Sequence, residues 1–212
     1  MPDFHKLVEE LKANRGPAQP DDEQKRAHEE RLQLYRRRLR DSGLPDGWHK
    51  VSFDTFRLRG KNLQALTAIQ ESLQPGHHRG VFLRGDTGVG KTLLLAGLVR
   101  RLCSFTTPTY LNGNELASEI ERQRFSEQSY VESLVGGILI LDDLTFTNPP
   151  IAYVCDQINY LLDCVYATLR GPHPTKLYGA TNLLAADMNR IFGPRFRRRL
   201  EECCPVSIMS NP

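Results

Sequence analysis

Gly85-Asp86-Thr87-Gly88-Val89-Gly90-Lys91-Thr92 decides the fold of this chain. The stretch fits G-x-x-x-x-G-K-[ST], in which glycines let successive backbone N–H groups turn toward a polyphosphate. Average composition gives a chance match in roughly one chain of this length per hundred. The flanks narrow it further. Val81-Phe82-Leu83-Arg84 predicts an apolar strand entering the loop, and Leu93-Leu94-Leu95-Ala96-Gly97-Leu98-Val99 a helix leaving it. The N-terminus of such a helix favours an anion. Lys91 is expected to reach the β- and γ-phosphates of a nucleotide, and the Thr92 hydroxyl to ligate Mg²⁺. Gly85, Asp86, Thr87, Gly88, Val89 and Gly90 form the rest of the expected phosphate cradle.

About 50 residues on, Gly137-Ile138-Leu139-Ile140-Leu141-Asp142-Asp143-Leu144 reads as a buried strand that runs into two acids. This strand is expected beside the phosphate-loop strand, with Asp142 near the Mg²⁺ held by Thr92. Asp143 points differently and is expected to polarise an attacking water as general base. Lys176-Leu177-Tyr178-Gly179-Ala180-Thr181-Asn182 is a further strand, its end expected between the two earlier sites. Asn182 then holds the attacking water or a γ-phosphate oxygen. After the turn Gly193-Pro194 come Arg195, Arg197, Arg198 and Arg199. They read as arginines that reach a γ-phosphate held by a neighbouring subunit.

Working outward, apolar runs alternate with helical patterns. Strands are expected at Val81–Arg84, Thr109–Leu111, Ile138–Asp142, Lys176–Ala180 and Val206–Met209. Helices are expected at 61–73, 91–103, 115–124, 129–134, 153–169 and 184–191. Strand, helix, strand, repeated, predicts an α/β fold with a five-stranded parallel sheet covered on both faces. Ahead of it, residues 1–42 form a charged, helical N-terminal arm. Within the arm Phe4, Leu7, Val8 and Leu11 make an apolar stripe over 3–13, and Asp21 to Arg40 suits a solvated helix. The nucleotide-binding domain is expected over 43–212.

Composition fits that picture. The chain has 212 residues, with 28 Lys and Arg against 25 Asp and Glu, a net charge of +3. That is too weak by itself to argue for nucleic acid. A hydrophobic share of 40% supports a real core. No apolar run nears the ~20 residues of a membrane span, and the N-terminus lacks a signal-peptide stretch, so a soluble cytoplasmic protein without membrane association is expected. Cys103, Cys155, Cys164, Cys203 and Cys204 include no C-x-x-C pair and read as free thiols.

With these residues in order, residues 40 to 210 resemble the AAA+ ATPases, specifically the bacterial helicase-loader and insertion-sequence helper group of DnaC and IstB type. The resemblance rests on Gly43-Leu44-Pro45, Ser52-Phe53-Asp54-Thr55-Phe56, GDTGVGKT, LILDDL, GATNL and GPRFRRRL. It implies Walker A roles for Lys91 and Thr92, and a Walker B pair of Asp142 and Asp143. It further implies sensor 1 at Asn182, an arginine finger at Arg199 with Arg195 as accessory, and Phe53 and Phe56 near the adenine. The Asp-Asp pair in place of Asp-Glu implies slow hydrolysis, stimulated by DNA or assembly. An end just after the last strand implies no C-terminal helical lid.

Three functions follow as expectations. The first is an ATP-dependent, DnaC-like loader that grips single-stranded DNA, through Arg122 and Arg124 among others. It assembles head to tail on ATP as a homo-oligomer and contacts a replicative helicase through its N-terminal arm. The second is an IstB-like transposition helper on duplex DNA, with a transposase as client. The third, from another class, is a small-molecule phosphotransferase that clamps the transferred phosphate in cis.

Overall fold

Five short apolar runs become strands: β1 (Phe82–Arg84), β2 (Thr109–Asn112), β3 (Ile138–Asp142), β4 (Lys176–Thr181) and β5 (Val206–Ile208). All pair in parallel, in the order β2-β3-β4-β1-β5. The computed structural model describes residues 22–53, 61–126, 128–146 and 150–210. The expected stripe of Phe4, Leu7, Val8 and Leu11 lies outside the described residues, as does Phe56. The helices are α1 (Asp22–Asp41), α2 (Lys61–Ser72), α3 (Lys91–Leu102), α4 (Gly113–Arg122), α5 (Tyr130–Ser133), α6 (Ala152–Thr168), α7 (Ala185–Phe192) and α8 (Pro194–Cys203). The unit that holds the sheet begins at Arg37, with Leu39, Ser42 and Leu44 buried in it.

One expectation of strand order fails. The Asp142 strand does not adjoin the phosphate-loop strand, because β4 pairs with both and lies between them. Parallel neighbours need crossovers, and the route of a crossover is not encoded in apolar alternation. Asn182, which follows β4, therefore stands between the two sites, as its place in the chain suggested.

Both sheet faces are buried. Phe82, Leu139, Leu141 and Leu177 join residues of α4, α6, α7 and α8 in one core cluster. Leu83, Ile140 and Tyr178, which alternate with them along the strands, are fully buried on the other face. There the Tyr178 hydroxyl lies 2.9 Å from Ser72 Oγ of α2. Apolar runs without polar alternation are what a doubly covered parallel sheet demands.

Chain punctuation sets the helix ends near the site. Asn112 Oδ1 accepts from Asn114 N at 2.9 Å, and Glu115 returns a bond to Asn112 N at 3.1 Å, so α4 starts on a capping box. Gly193, at φ 84°, turns the chain between α7 and α8, and Pro194 opens α8 where its missing N–H costs nothing. Phe192 and Phe196 stack at 4.3 Å and anchor that corner to the core.

Candidate active site

The pairing register brings the chemistry to one edge of the sheet. Arg84 stands opposite Thr181, and Leu141 opposite Gly179, so the ends of β1, β4 and β3 emerge side by side. A cleft of about 320 Å³ opens there, outside the carboxyl ends of the strands. Thr87, Gly88, Gly90, Lys91, Thr92, Asp142, Asp143 and Asn182 line it, together with Trp48 and Leu93.

The loop keeps its shape through its glycines. Gly88 and Gly90 sit at φ 85° and 96°, in the left-handed region that side chains rarely adopt. Gly85 packs under β5, where a Cβ would come within 2.4 Å of the Met209 carbonyl oxygen. The Val89 carbonyl accepts from Asn62 Nδ2 of α2 at 3.3 Å. Lys91 Nζ donates to the carbonyls of Gly85 and Asp86, each at 2.8 Å. Burial lowers the Lys91 pKa, while the carboxylates of Asp142, Asp143 and Asp86 oppose that shift.

Asp142 is buried and fully partnered. Its Oδ2 accepts from the Tyr110 hydroxyl at 2.7 Å, its Oδ1 from the Asp143 N–H at 2.9 Å, and the Thr92 hydroxyl bonds to it as well. Burial pushes its pKa up, against the pull of those three hydrogen bonds. Asp143 is exposed and takes φ 50°, a conformation that Asp tolerates better than most residues. The kink separates the two carboxylates: both line the cleft, Asp142 from a buried position and Asp143 from an exposed one. A buried carboxylate beside a threonine hydroxyl is a hard, oxygen-only donor set, and Asp142 and Thr92 could hold Mg²⁺.

Asn182 Nδ2 donates to Thr87 Oγ1 at 3.3 Å, and Asn182 Oδ1 accepts from the Thr145 hydroxyl at 2.6 Å. The remaining candidates lie elsewhere. Phe53 packs on α3 at Gly97, where a Cβ would come within 2.9 Å of its ring, and is not among the cleft-lining residues. Arg195 and Arg199 also lie outside the lining. Both are bound to Asp163 of α6, at 2.6 and 3.0 Å, and Arg199 also to Glu202 at 2.6 Å. The Arg199 guanidinium stacks 4.2 Å from the Tyr166 ring centre. Arg195, Arg198 and Arg199 border a separate recess of about 290 Å³.

On α4, Arg122 pairs with Glu119, Nε to Oε2 at 2.9 Å. Arg124, just beyond it, lies 4.9 Å from the Tyr153 ring centre and 5.6 Å from that of Phe125, which is 93% exposed. Sequence reasoning missed Trp48, Leu93, Tyr110, Thr145 and Asn62. Only Trp48, the single tryptophan beside the Gly43-Leu44-Pro45 lead-in, carried a signal.

Comparison with solved structures follows from this geometry. The DnaC helicase loader matches at TM-score 0.62 and 17% identity, over 78% of this chain and 99% of that one. DnaI matches at TM-score 0.57 and 19% identity, over 80% and 93%. This is the P-loop AAA+ fold. DnaA bound to AMPPCP and single-stranded DNA shares it, at TM-score 0.63 and 16% identity, over 77% of this chain and 50% of that one. The fold expected from the motifs is thus the fold that these structures share. No protein-family model and no curated protein sequence matches the chain. Among the described residues no helix is long and apolar enough to cross a membrane.

Proposed function

We propose that the chain is a soluble, cytoplasmic, ATP-dependent loader of a replicative helicase, which binds single-stranded DNA and assembles head to tail on ATP. One observation carries the reading. A single cleft unites Lys91, Thr92, Asp142, Asp143 and Asn182, in a fold that spans the DnaC helicase loader over 99% of its length.

The cleft residues divide the work. Lys91 gives up its two loop carbonyls to neutralise β- and γ-phosphate charge. Thr92 and Asp142 would hold Mg²⁺, which supplies charge neutralisation at the phosphates. Asp143 accepts a proton from the attacking water, and Asn182 donates its amide toward the γ-phosphate. The shorter reach of Asp143, compared with Glu, fits slow turnover. Trp48 provides an aromatic wall beside the phosphate loop, suited to a purine face. Arg199, with Arg195, serves the nucleotide of the neighbouring subunit. Their position outside the cleft supports action in trans, for which their bonds to Asp163 would have to open. The same facts weigh against a phosphotransferase that clamps its own nucleotide in cis.

Single-stranded DNA suits the surface of Arg122, Arg124 and Phe125. Arginine there meets phosphate, and an exposed ring can stack on a base. The N-terminal arm is the client contact, through the stripe of Phe4, Leu7, Val8 and Leu11. The test is ATP-dependent retention on single-stranded and duplex DNA, followed by capture of a replicative helicase or a transposase. Full-length chain should retain single strands and capture the helicase, and a chain lacking residues 1–16 should keep ATP but lose the helicase. Duplex preference with transposase capture would favour the helper reading instead.

A further inference from the structure

Thr145 lies on the turn that follows the two acids, and its hydroxyl is committed on both sides. The oxygen accepts from Asn182 N at 3.4 Å, and the proton is donated to Asn182 Oδ1 at 2.6 Å. A hydroxyl carries one donor and two lone pairs, so Thr145 can accept from the main-chain N–H and donate to Oδ1 at the same time. The consequence falls on the Asn182 amide. With Oδ1 held by Thr145, the two N–H donors of Nδ2 face the phosphate loop, where Nδ2 meets Thr87 Oγ1 at 3.3 Å.

The turn itself is clamped. Leu144 N donates to the Ala180 carbonyl at 2.9 Å, the Thr181 hydroxyl donates to the Leu144 carbonyl at 3.0 Å, and Thr145 N closes onto the Asp143 carbonyl at 2.7 Å. Asp143, at φ 50°, belongs to the same turn. One hydrogen-bonded turn thus carries both the exposed carboxylate of the cleft, Asp143, and the hydroxyl that meets the Asn182 amide.

We infer that Thr145 is a positioning residue, which fixes the Asn182 amide with its donors toward the γ-phosphate of the nucleotide. This rests on the ATPase reading of the cleft. The physical need is plain, because a carboxamide is nearly symmetric in shape but opposite in polarity at its two ends. Rotated by half a turn it would present an oxygen to phosphate and repel the charge that it should stabilise. Preorganised donors at the place where charge develops are effective because they need no reorganisation during the reaction. Of the two hydroxyls on the amide, Thr145 donates to Oδ1 and Thr87 accepts from Nδ2.

The experiment is a mutant cycle on full-length chain, with ATP affinity and single-turnover hydrolysis both measured. Thr145→Val keeps shape and removes the hydroxyl. It should slow hydrolysis by about ten- to a hundredfold with ATP affinity unchanged within about twofold, the pattern of an interaction made in the transition state. Thr145→Ser restores the hydroxyl and should recover most of the rate. Asn182→Ala should slow hydrolysis at least as much, and adding Thr145→Val to it should cost nothing more. If Thr145→Val is silent while Asn182→Ala is slow, or if the two losses multiply, the positioning role is wrong and the ATPase reading stands. If Asn182→Ala and Asp143→Asn both leave hydrolysis unchanged, the ATPase reading fails, and the role of Thr145 with it.

Discussion

The Tyr110 hydroxyl on β2 donates to Asp142 Oδ2 on β3 across 2.7 Å, and both residues are buried. A carboxylate out of water is costly unless its oxygens are satisfied. Tyr110→Phe should therefore destabilise the nucleotide-free chain by about 1.5–3 kcal/mol, the range for a hydrogen bond to a charged group. Urea unfolding checks this, and an unchanged midpoint would assign the bond no energetic role.

The same burial gives a pH signature. The Asp142 pKa is raised above its ordinary 3.8, so over a window above that value the native state keeps a proton that the unfolded chain has lost. Stability from this group is greatest below the window and falls as pH rises through the folded pKa. Asp142→Asn cannot titrate. Without nucleotide or metal, its melting temperature relative to the parent should therefore rise as pH increases above 3.8. A flat difference would mean that Asp142 titrates as if exposed.

At the nucleotide, two substitutions should separate binding from chemistry. Lys91→Ala removes the cation that meets the β- and γ-phosphates and should weaken ATP binding or abolish turnover. Asp143→Asn should keep ATP affinity and lower turnover by about 10²–10⁴, the usual weight of a general base. Equilibrium binding and phosphate release measure both, and unchanged turnover in both variants would contradict the site.

For DNA, the charge-driven part of binding should weaken with salt, by about 0.7 in log affinity per log salt for each phosphate contacted on a single strand. Arg124→Ala should reduce that slope and lower affinity for all sequences alike. Phe125→Ala should cost about 1–3 kcal/mol of affinity if a base stacks on the ring. Fluorescence anisotropy against salt checks both. A slope and affinity unaltered in either variant would remove this surface from the DNA path.

Much of this molecule was legible in its sequence, and the gaps have a physical pattern. The phosphate loop, the strand into Asp142 and the strand into Asn182 each announce themselves locally, through glycine spacing or an apolar run that ends in polar residues. What failed to show were partnerships between distant segments. Tyr110 is 32 residues from Asp142 and Thr145 is 37 from Asn182, and no periodicity links either pair. The expected adjacency of β3 and β1 failed, although Asn182 was expected between the two sites, since an apolar run reports that a segment is a strand and not which strand it joins. The arginines of α8 announce their charge, but their shared carboxylate, Asp163, lies on a helix that reads as ordinary core.

Arg195 and Arg199 bring the account to its central claim, a catalytic site completed by a second copy of the chain. An arginine that lies outside its own cleft would act on the next one if it has the proposed role, and a head-to-tail contact of that kind would build a ring or a spiral. The direct measurement mixes two inactive chains, Arg199→Ala and Asp143→Asn, and follows ATP hydrolysis against total protein concentration. Each alone should bind ATP and turn it over hardly at all. The mixture should recover activity that rises with concentration, because some interfaces then pair an intact cleft with an intact arginine. Parental activity per chain that is independent of concentration, together with no recovery on mixing, would contradict the account.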